Sequence, residues 1–242
     1  MKNSKFFLLI AVLILSYSCE PKLAAEAIIE KSLEKAHGGK ATWEAVQRLV
    51  YKKTTTLYDA EKNKESEITK TFYNTLQPTF TSSMLWTEAG VEKRVVYDGN
   101  EIDVFENEVA ITDTTIIAKA FEEIKAAQFV LWQPYKLLTD DVVLTNEGIV
   151  RLEDKMPAYK IKAVYPNSDT IWWFYFDTTT FLLKENLIQH SPTTYSQIVN
   201  MEQEEKTGLR LHKKRKSYKV DVAKDTKYLR AEYTYTIIDV KY

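Results

Sequence analysis

From Leu49 to Val240 the chain runs, segment after segment, with apolar and polar residues in alternation. A period of two sends successive side chains to opposite faces of a sheet. We count about eleven such strands, accompanied by two substantial helical patterns. Eleven antiparallel strands do not stay flat, because their native twist makes a sheet of that size curl or split. A curled sheet has a concave apolar face that must be filled, and the helices are the available filling. The expected fold class is therefore α+β: a curved antiparallel sheet, a half-barrel of about eleven strands, closed by helices.

The longer helical pattern lies between two groups of strands, within Asp113 to Leu138. Ile117, Ala120, Phe121, Ile124, Ala127 and Leu131 recur at steps of three and four, the spacing of one helix face. Asp113 is placed as N-cap, and Pro134 drives Gln133 out of the α region, so the helix should stop there. A break near Ala126-Ala127 would fit a helix of that length into a small domain. The first pattern carries Ala25, Ile28, Ile29, Leu33 and Ala36 on one face. His37-Gly38-Gly39 closes it: glycine accepts the left-handed conformation, and histidine suits the negative helix end. A short helical turn from Lys40 to Val46 then places Trp43 before the first strand.

Turn chemistry divides the strands. Asp59-Ala60-Glu61-Lys62-Asn63 and Asp98-Gly99-Asn100 are hairpin signals, and Asn146-Glu147-Gly148 reads as another, between Val142–Leu144 and Ile149–Leu152. Ile171 to Phe176 is apolar on both faces, so both faces must be covered or one must line a pocket. Trp172 and Phe174 lead as residues facing such a cavity, with Trp86, Phe121 and Trp132 approaching from facing elements. The basic run His212-Lys213-Lys214-Arg215-Lys216 reads as an edge strand guarded by lysine. Its functional alternative is contact with anionic headgroups.

The first residues have another purpose. Lys2 and Lys5 precede ten apolar residues, Phe6 to Leu15, too short a run for the roughly 20 residues of a membrane span. Small residues then lead to Cys19, the sole cysteine. This resembles the lipobox of bacterial lipoproteins, with Leu15 four positions before the cysteine. The resemblance implies a signal peptide over 1–18, lipid attachment at Cys19, a tether over 19–22 and one domain over 23–242. A single cysteine leaves no disulfide within the chain. The formal net charge of −1 argues against nucleic acid, whose binders carry a basic excess.

Catalytic patterns are missing. His37, His190 and His212 are far apart and lack metal-ligand spacing, so no metal is expected, and His190 and His212 read as ordinary polar residues of the sheet. There is no Gly-x-Ser-x-Gly elbow, and the 6 glycines form no phosphate-binding loop, so neither a hydrolase nucleophile nor a nucleotide cofactor is implied. Glu122-Glu123, Asp140-Asp141 and Glu204-Glu205 are adjacent pairs whose side chains diverge, and read as a solvated helix face and turns. The expectation is a protein that is not an enzyme.

The first helix ending in His37-Gly38-Gly39, with Trp43 beyond it and Tyr97-Asp98-Gly99 in the following meander, resembles the LolA/LolB-like outer-membrane lipoprotein-sorting superfamily. Pro134-Tyr135-Lys136-Leu137-Leu138 with Val142, and Phe174-Tyr175-Phe176-Asp177 leading to Leu182-Leu183-Lys184, are similar to lipoproteins of that type. The resemblance implies a half-barrel around helices with an apolar cavity for acyl chains. It leads us to expect an envelope lipoprotein, anchored through its acyl chains on the periplasmic side of the outer membrane. Its ligand would be a lipid or acyl chain held between sheet and helices. The alternative is an interaction lipoprotein with the same fold and a filled core.

Overall fold

The computed structural model describes residues 22–139, 141–166 and 168–242. The expected signal peptide, Cys19 and most of the tether lie outside the described residues, as does Asp140. After helices α1 (Ala25–Ala36) and α2 (Lys40–Ala45) come strands β1 (Arg48–Tyr58), β2 (Lys64–Thr75), β3 (Thr81–Glu88), β4 (Val91–Tyr97), β5 (Ile102–Glu106) and β6 (Val109–Ala110). Helix α3 (Thr114–Leu131) follows. Then come β7 (Val143–Arg151), β8 (Pro157–Val164), β9 (Ile171–Asp177), β10 (Leu183–Gln189), β11 (Thr194–Gln203), β12 (His212–Asp221) and β13 (Thr226–Lys241).

All thirteen strands belong to one antiparallel sheet, in the order β6-β5-β4-β3-β2-β1-β13-β12-β11-β10-β9-β8-β7. Every neighbour is also a neighbour in sequence except one pair, β1 with β13, which joins the two ends of the strand series at the centre. The sheet is open: β6 and β7 are its two edges, and α3 is the connection between them. The count exceeds the expected eleven, and it includes β6, only 2 residues long.

Local chemistry explains the helix limits. Asp113 Oδ1 accepts from the Thr115 and Ile116 backbone N–H groups at 2.8 and 3.3 Å, the expected N-cap. The chain leaves the helix after Leu131, passes through a cis Gln133–Pro134 bond and makes a 3₁₀ turn over Tyr135–Leu138. The expected break near Ala126-Ala127 is not there: α3 is continuous for 18 residues, about 27 Å at 1.5 Å per residue. Alanine is the best helix former, and two in succession hold the helix straight through.

Another expectation fails at Asn146-Glu147-Gly148, which is a bulge inside β7 and not a hairpin turn. The register to β8 skips between Asn146 and Gly148. Gly148 takes φ +106°, and its N–H donates to Asn146 Oδ1 at 2.8 Å. Asn146 Nδ2 also donates to the Leu23 carbonyl at 2.7 Å, tying the bulge to the start of α1. Bulges and tight turns draw on the same residues, and here the continuous β8 partner decides.

The helices lie on one face of the sheet over two apolar clusters. The first holds Trp43, Tyr51, Phe72, Met84 and Val95 with Ala120, Ile124, Ala127 and Leu131 of α3. The second holds Ala25, Ile28 and Ile29 of α1 with Ile161, Phe174, Phe176, Phe181 and Leu183. Thus α3 seals the arm β1–β6, and α1 seals much of the arm β7–β13. Leu33 of α1 and Leu138 touch the boundary between them.

Candidate ligand-binding face

Register determines which residues meet the helices. Across the first arm Tyr51 pairs with Phe72, Phe72 with Met84, Met84 with Val95 and Val95 with Val104. All five are buried, so this row is a continuous floor under α3, apolar but for the Tyr51 hydroxyl. One residue along, Lys52, Thr71, Leu85, Arg94 and Phe105 form the matching row on the other face. They line an outer groove of about 450 Å³.

The second arm is built differently. Ile161 pairs with Phe174, Phe174 with Asn186 and Asn186 with Ile198. Asn200 on β11 pairs with Arg215 on β12. Asn186, Asn200 and Arg215 are all buried. Arg215 Nε donates to Asn200 Oδ1 at 2.9 Å, and its Nη2 donates to Asn186 Oδ1 at 3.3 Å. Asn186 Nδ2 donates to Gln133 Oε1 at 3.2 Å, which links the sheet to the end of α3. Asn200 Nδ2 donates to the Leu183 carbonyl at 3.1 Å. A polar seam therefore crosses the helix-covered face.

Of the five residues expected to face a cavity, Trp86 and Trp132 join the first cluster and Trp172 and Phe174 the second, while Phe121 belongs to neither. Trp132 is buried in the first, with its ring 5.0 Å from Trp43, and Trp43 stacks on Tyr135 at 5.8 Å. Phe121 meets Tyr97 edge-on at 5.5 Å and has Lys125 Nζ 4.1 Å above its ring. Trp86 packs against the same cluster, with Lys70 Nζ 4.0 Å over its ring and Lys70 paired to Glu123 of α3. Trp172 and Phe174 stand in the second cluster, 5.9 Å apart and stacked, with Phe129 of α3 5.3 Å from Trp172. They share the helix-covered face without surrounding one space. Trp132 borders a groove of about 210 Å³ with Trp43, Val46, Leu76 and Tyr135. A larger groove, about 700 Å³, opens where α1 begins and is lined by Lys22, Leu23, Lys31, Ile149, Tyr159 and Phe181.

No family model matches the sequence, and no curated protein matches it either. Solved structures do. A LolA superfamily protein of Nitrosomonas europaea aligns with a TM-score of 0.52 at 11% identity, over 91% of this chain and 94% of that one. The fold is LolA-like. A DUF1329 family protein of Desulfovibrio piger gives a TM-score of 0.53 at 9% identity, over the same shares of both chains. At such identities the likeness is one of architecture: a broad antiparallel sheet with helices on one face.

Within the LolA-like fold three sequence expectations need correction. His37 is not a charged residue at a helix end. It is buried, its Nδ1 lies 3.2 Å from the Leu209 carbonyl, and burial pushes its pKa down to about 4. Holding the imidazole in the interior costs more than the helix end returns. His212 is no ordinary polar strand residue: it is fully buried, and desolvation, with help from the Arg215 charge, holds its pKa well below the usual histidine value. Its basic run is also not an edge strand, because β12 lies between β11 and β13. Lys213 and Lys214 reach Glu202, Lys216 reaches Glu232, and Arg215 points inward.

The seam residues Gln133, Asn186, Asn200 and Arg215 escaped sequence reading. Their signal is polarity at inward positions of otherwise apolar rows, and it is visible only when the register is known. Among the described residues, no group of three His, Cys, Asp or Glu side chains is placed to hold a metal.

Proposed function

We propose that this is an envelope lipoprotein that holds a hydrophobic ligand, a lipid or acyl chain, between a half-barrel sheet and the helices lying on it. The observation that carries the reading is the apolar floor Tyr51–Phe72–Met84–Val95–Val104 covered by a helix and not by strands. Helix α3 connects the two free edges of the sheet and can shift without breaking a strand ladder. It also has more apolar surface than its seat uses: Ile116 is exposed, and Ile117, Phe121, Phe129 and Val130 are half-buried. Architecture alone does not assign a task, so the ligand has to be caught. Organic extraction of the purified chain, followed by mass spectrometry, should release lipid. Phe121→Asp should lower that yield while leaving a folded protein; an extract empty of lipid sinks the reading.

In the same proposal Cys19 bears the acyl chains that fix the protein to the membrane, on the periplasmic side of the outer membrane. Two or more acyl chains, at about 0.8 kcal/mol per buried CH₂, make an effectively permanent anchor. Cys19→Ser should move the protein out of the membrane fraction, and unchanged fractionation contradicts the anchor.

A second reading, an interaction lipoprotein with a filled core, has its own support. Four of the five expected cavity residues pack in the two apolar clusters, and Phe121 lies edge-on to Tyr97. If that core stays dry, Phe121→Asp unfolds the protein and no lipid is extracted.

A further inference from the structure

The seam holds a cation with no counter-charge. Arg215 is 2% exposed, and its hydrogen bonds go to Asn200 and Asn186, both neutral amides. No ion pair reaches it among the described residues, although the three lysines of the same basic run all find carboxylates on the outer face. A guanidinium keeps its proton, and a buried charge without a partner is strongly unfavourable. Replacement by an apolar side chain would relieve that cost, so a charge kept here points to a use.

Arg215 also dictates how its neighbours are oriented. It can only donate, so Asn186 and Asn200 must turn their carbonyl oxygens towards it. That aims Asn186 Nδ2 at Gln133 and obliges Gln133 to present Oε1. Gln133 Nε2, completely buried, is left as a donor with no acceptor among the described residues. Nearby, His212 is likewise buried with neither ring nitrogen paired, and it feels the Arg215 charge. The cluster thus contains a fixed positive charge and a spare amide donor, with no carboxylate. Its chemical complement is an anion with several acceptor oxygens.

The surroundings say what else that anion must carry. Asn186 has Phe174 opposite it on one neighbouring strand and Ile198 on the other. Gln133 follows Leu131 and Trp132, both buried. The seam also falls between the two apolar clusters, where α3 and α1 divide the cover between them. We propose that Arg215, Asn186 and Gln133 form a headgroup site for an anionic amphiphile, a long-chain carboxylate or phosphate ester, with its chain lodged between the clusters. This rests on the hydrophobic-ligand reading and narrows it to a ligand with a negative head.

The test uses the chain from residue 20 onward, which includes every element of the sheet and its cover. Fluorescence titration compares cis-parinaric acid with its methyl ester, which has the same chain and no charge. The acid is expected to bind roughly tenfold or more tightly, the value of a charge-assisted hydrogen-bond pair. Arg215→Gln should bring the ratio close to one. If that variant does not fold by circular dichroism, Gln133→Met retains the guanidinium and should lower the ratio by about threefold or more. Competition by a lysophosphatidate of equal chain length separates the two headgroups: tighter binding than the acid assigns phosphate, weaker binding assigns carboxylate, and either agrees with the site. Equal binding of acid and ester by the unaltered chain overturns the headgroup site and leaves the hydrophobic-ligand reading standing. An unchanged ratio in folded Arg215→Gln also overturns it. Binding of neither probe removes both readings.

Discussion

The two arms of the sheet meet their helices in different ways. Under α3 the row from Tyr51 to Val104 is apolar but for the buried Tyr51 hydroxyl, and two residues along Ser82 Oγ donates to Asn74 Oδ1. On the other arm the inward positions include Asn186, Asn200, Arg215 and Ser217, all buried. A purely apolar row gains stability from area removed from water, at about 25 cal/mol per Å². A polar row gains little net stability even when its hydrogen bonds are made. The row under α3 is thus the cohesive one, and the second arm contains a charged seam that costs stability. Costly polarity in an interior is one of the places where functional sites are sought.

Four changes would break or sharpen that contrast. The largest effect belongs to the first arm: Phe72→Ala removes a buried ring stacked 4.8 Å from Tyr51. It should cost about 3–5 kcal/mol in urea unfolding. Next is Gly38→Ala, which affects how α1 ends. Gly38 has φ +75°, and an added Cβ would run into the Gly208 carbonyl oxygen, so a loss of roughly 1–3 kcal/mol is expected. Asp113→Ala deletes the cap of α3 and should cost about 1 kcal/mol. The smallest stability change is expected where the contacts look densest. The combined substitution Arg215→Met, Asn186→Leu, Asn200→Leu should leave the unfolding midpoint nearly unchanged or raise it. A severe loss would mean that the seam is a structural strut and the contrast between the arms is false.

Acid tests the same boundary in another way. His37 has its pKa lowered from 6.5 to about 4 by burial, and burial also holds His212 well below the usual histidine value. The unfolded chain therefore binds more protons than the folded one below about pH 6.5. Stability should be full above that value and fall as pH drops towards 4. Thermal melts of the unaltered chain and His37→Asn, which cannot titrate there, should diverge across that window. Parallel melting curves would refute the buried neutral histidine.

Features governed by near neighbours were legible in the sequence. Asp113 and Pro134 delimit α3 through cap and ring geometry, each acting within a few residues. The Asp98-Gly99-Asn100 turn follows from Asp98 Oδ1 accepting the Asn100 and Glu101 N–H groups. Features decided by a distant partner were not. Asn146-Glu147-Gly148 carries turn chemistry, yet β8 pairs along both sides of it and makes it a bulge. The basic run looks like an edge until β11 and β13 are placed beside it, and only then does Arg215 separate from its lysine neighbours. Trp172 and Phe174, read as facing a cavity, share one parity and lie on the helix-covered face. That Phe129 would cover Trp172 depends on how α3 crosses the sheet, which alternation does not encode.

The pairing of β1 with β13 has a consequence in time. The two strands face each other from Arg48 opposite Lys241 to Leu57 opposite Ala231, and β13 supplies the last 16-residue strand of the chain. Each arm is a run of hairpins between sequence neighbours and can form as soon as its own residues are free. Their union needs a contact spanning most of the chain, and such closures are slow. A chain emerging from its N-terminus would hold two half-sheets, each with an exposed centre-facing edge, until its final strand arrives to zip them together.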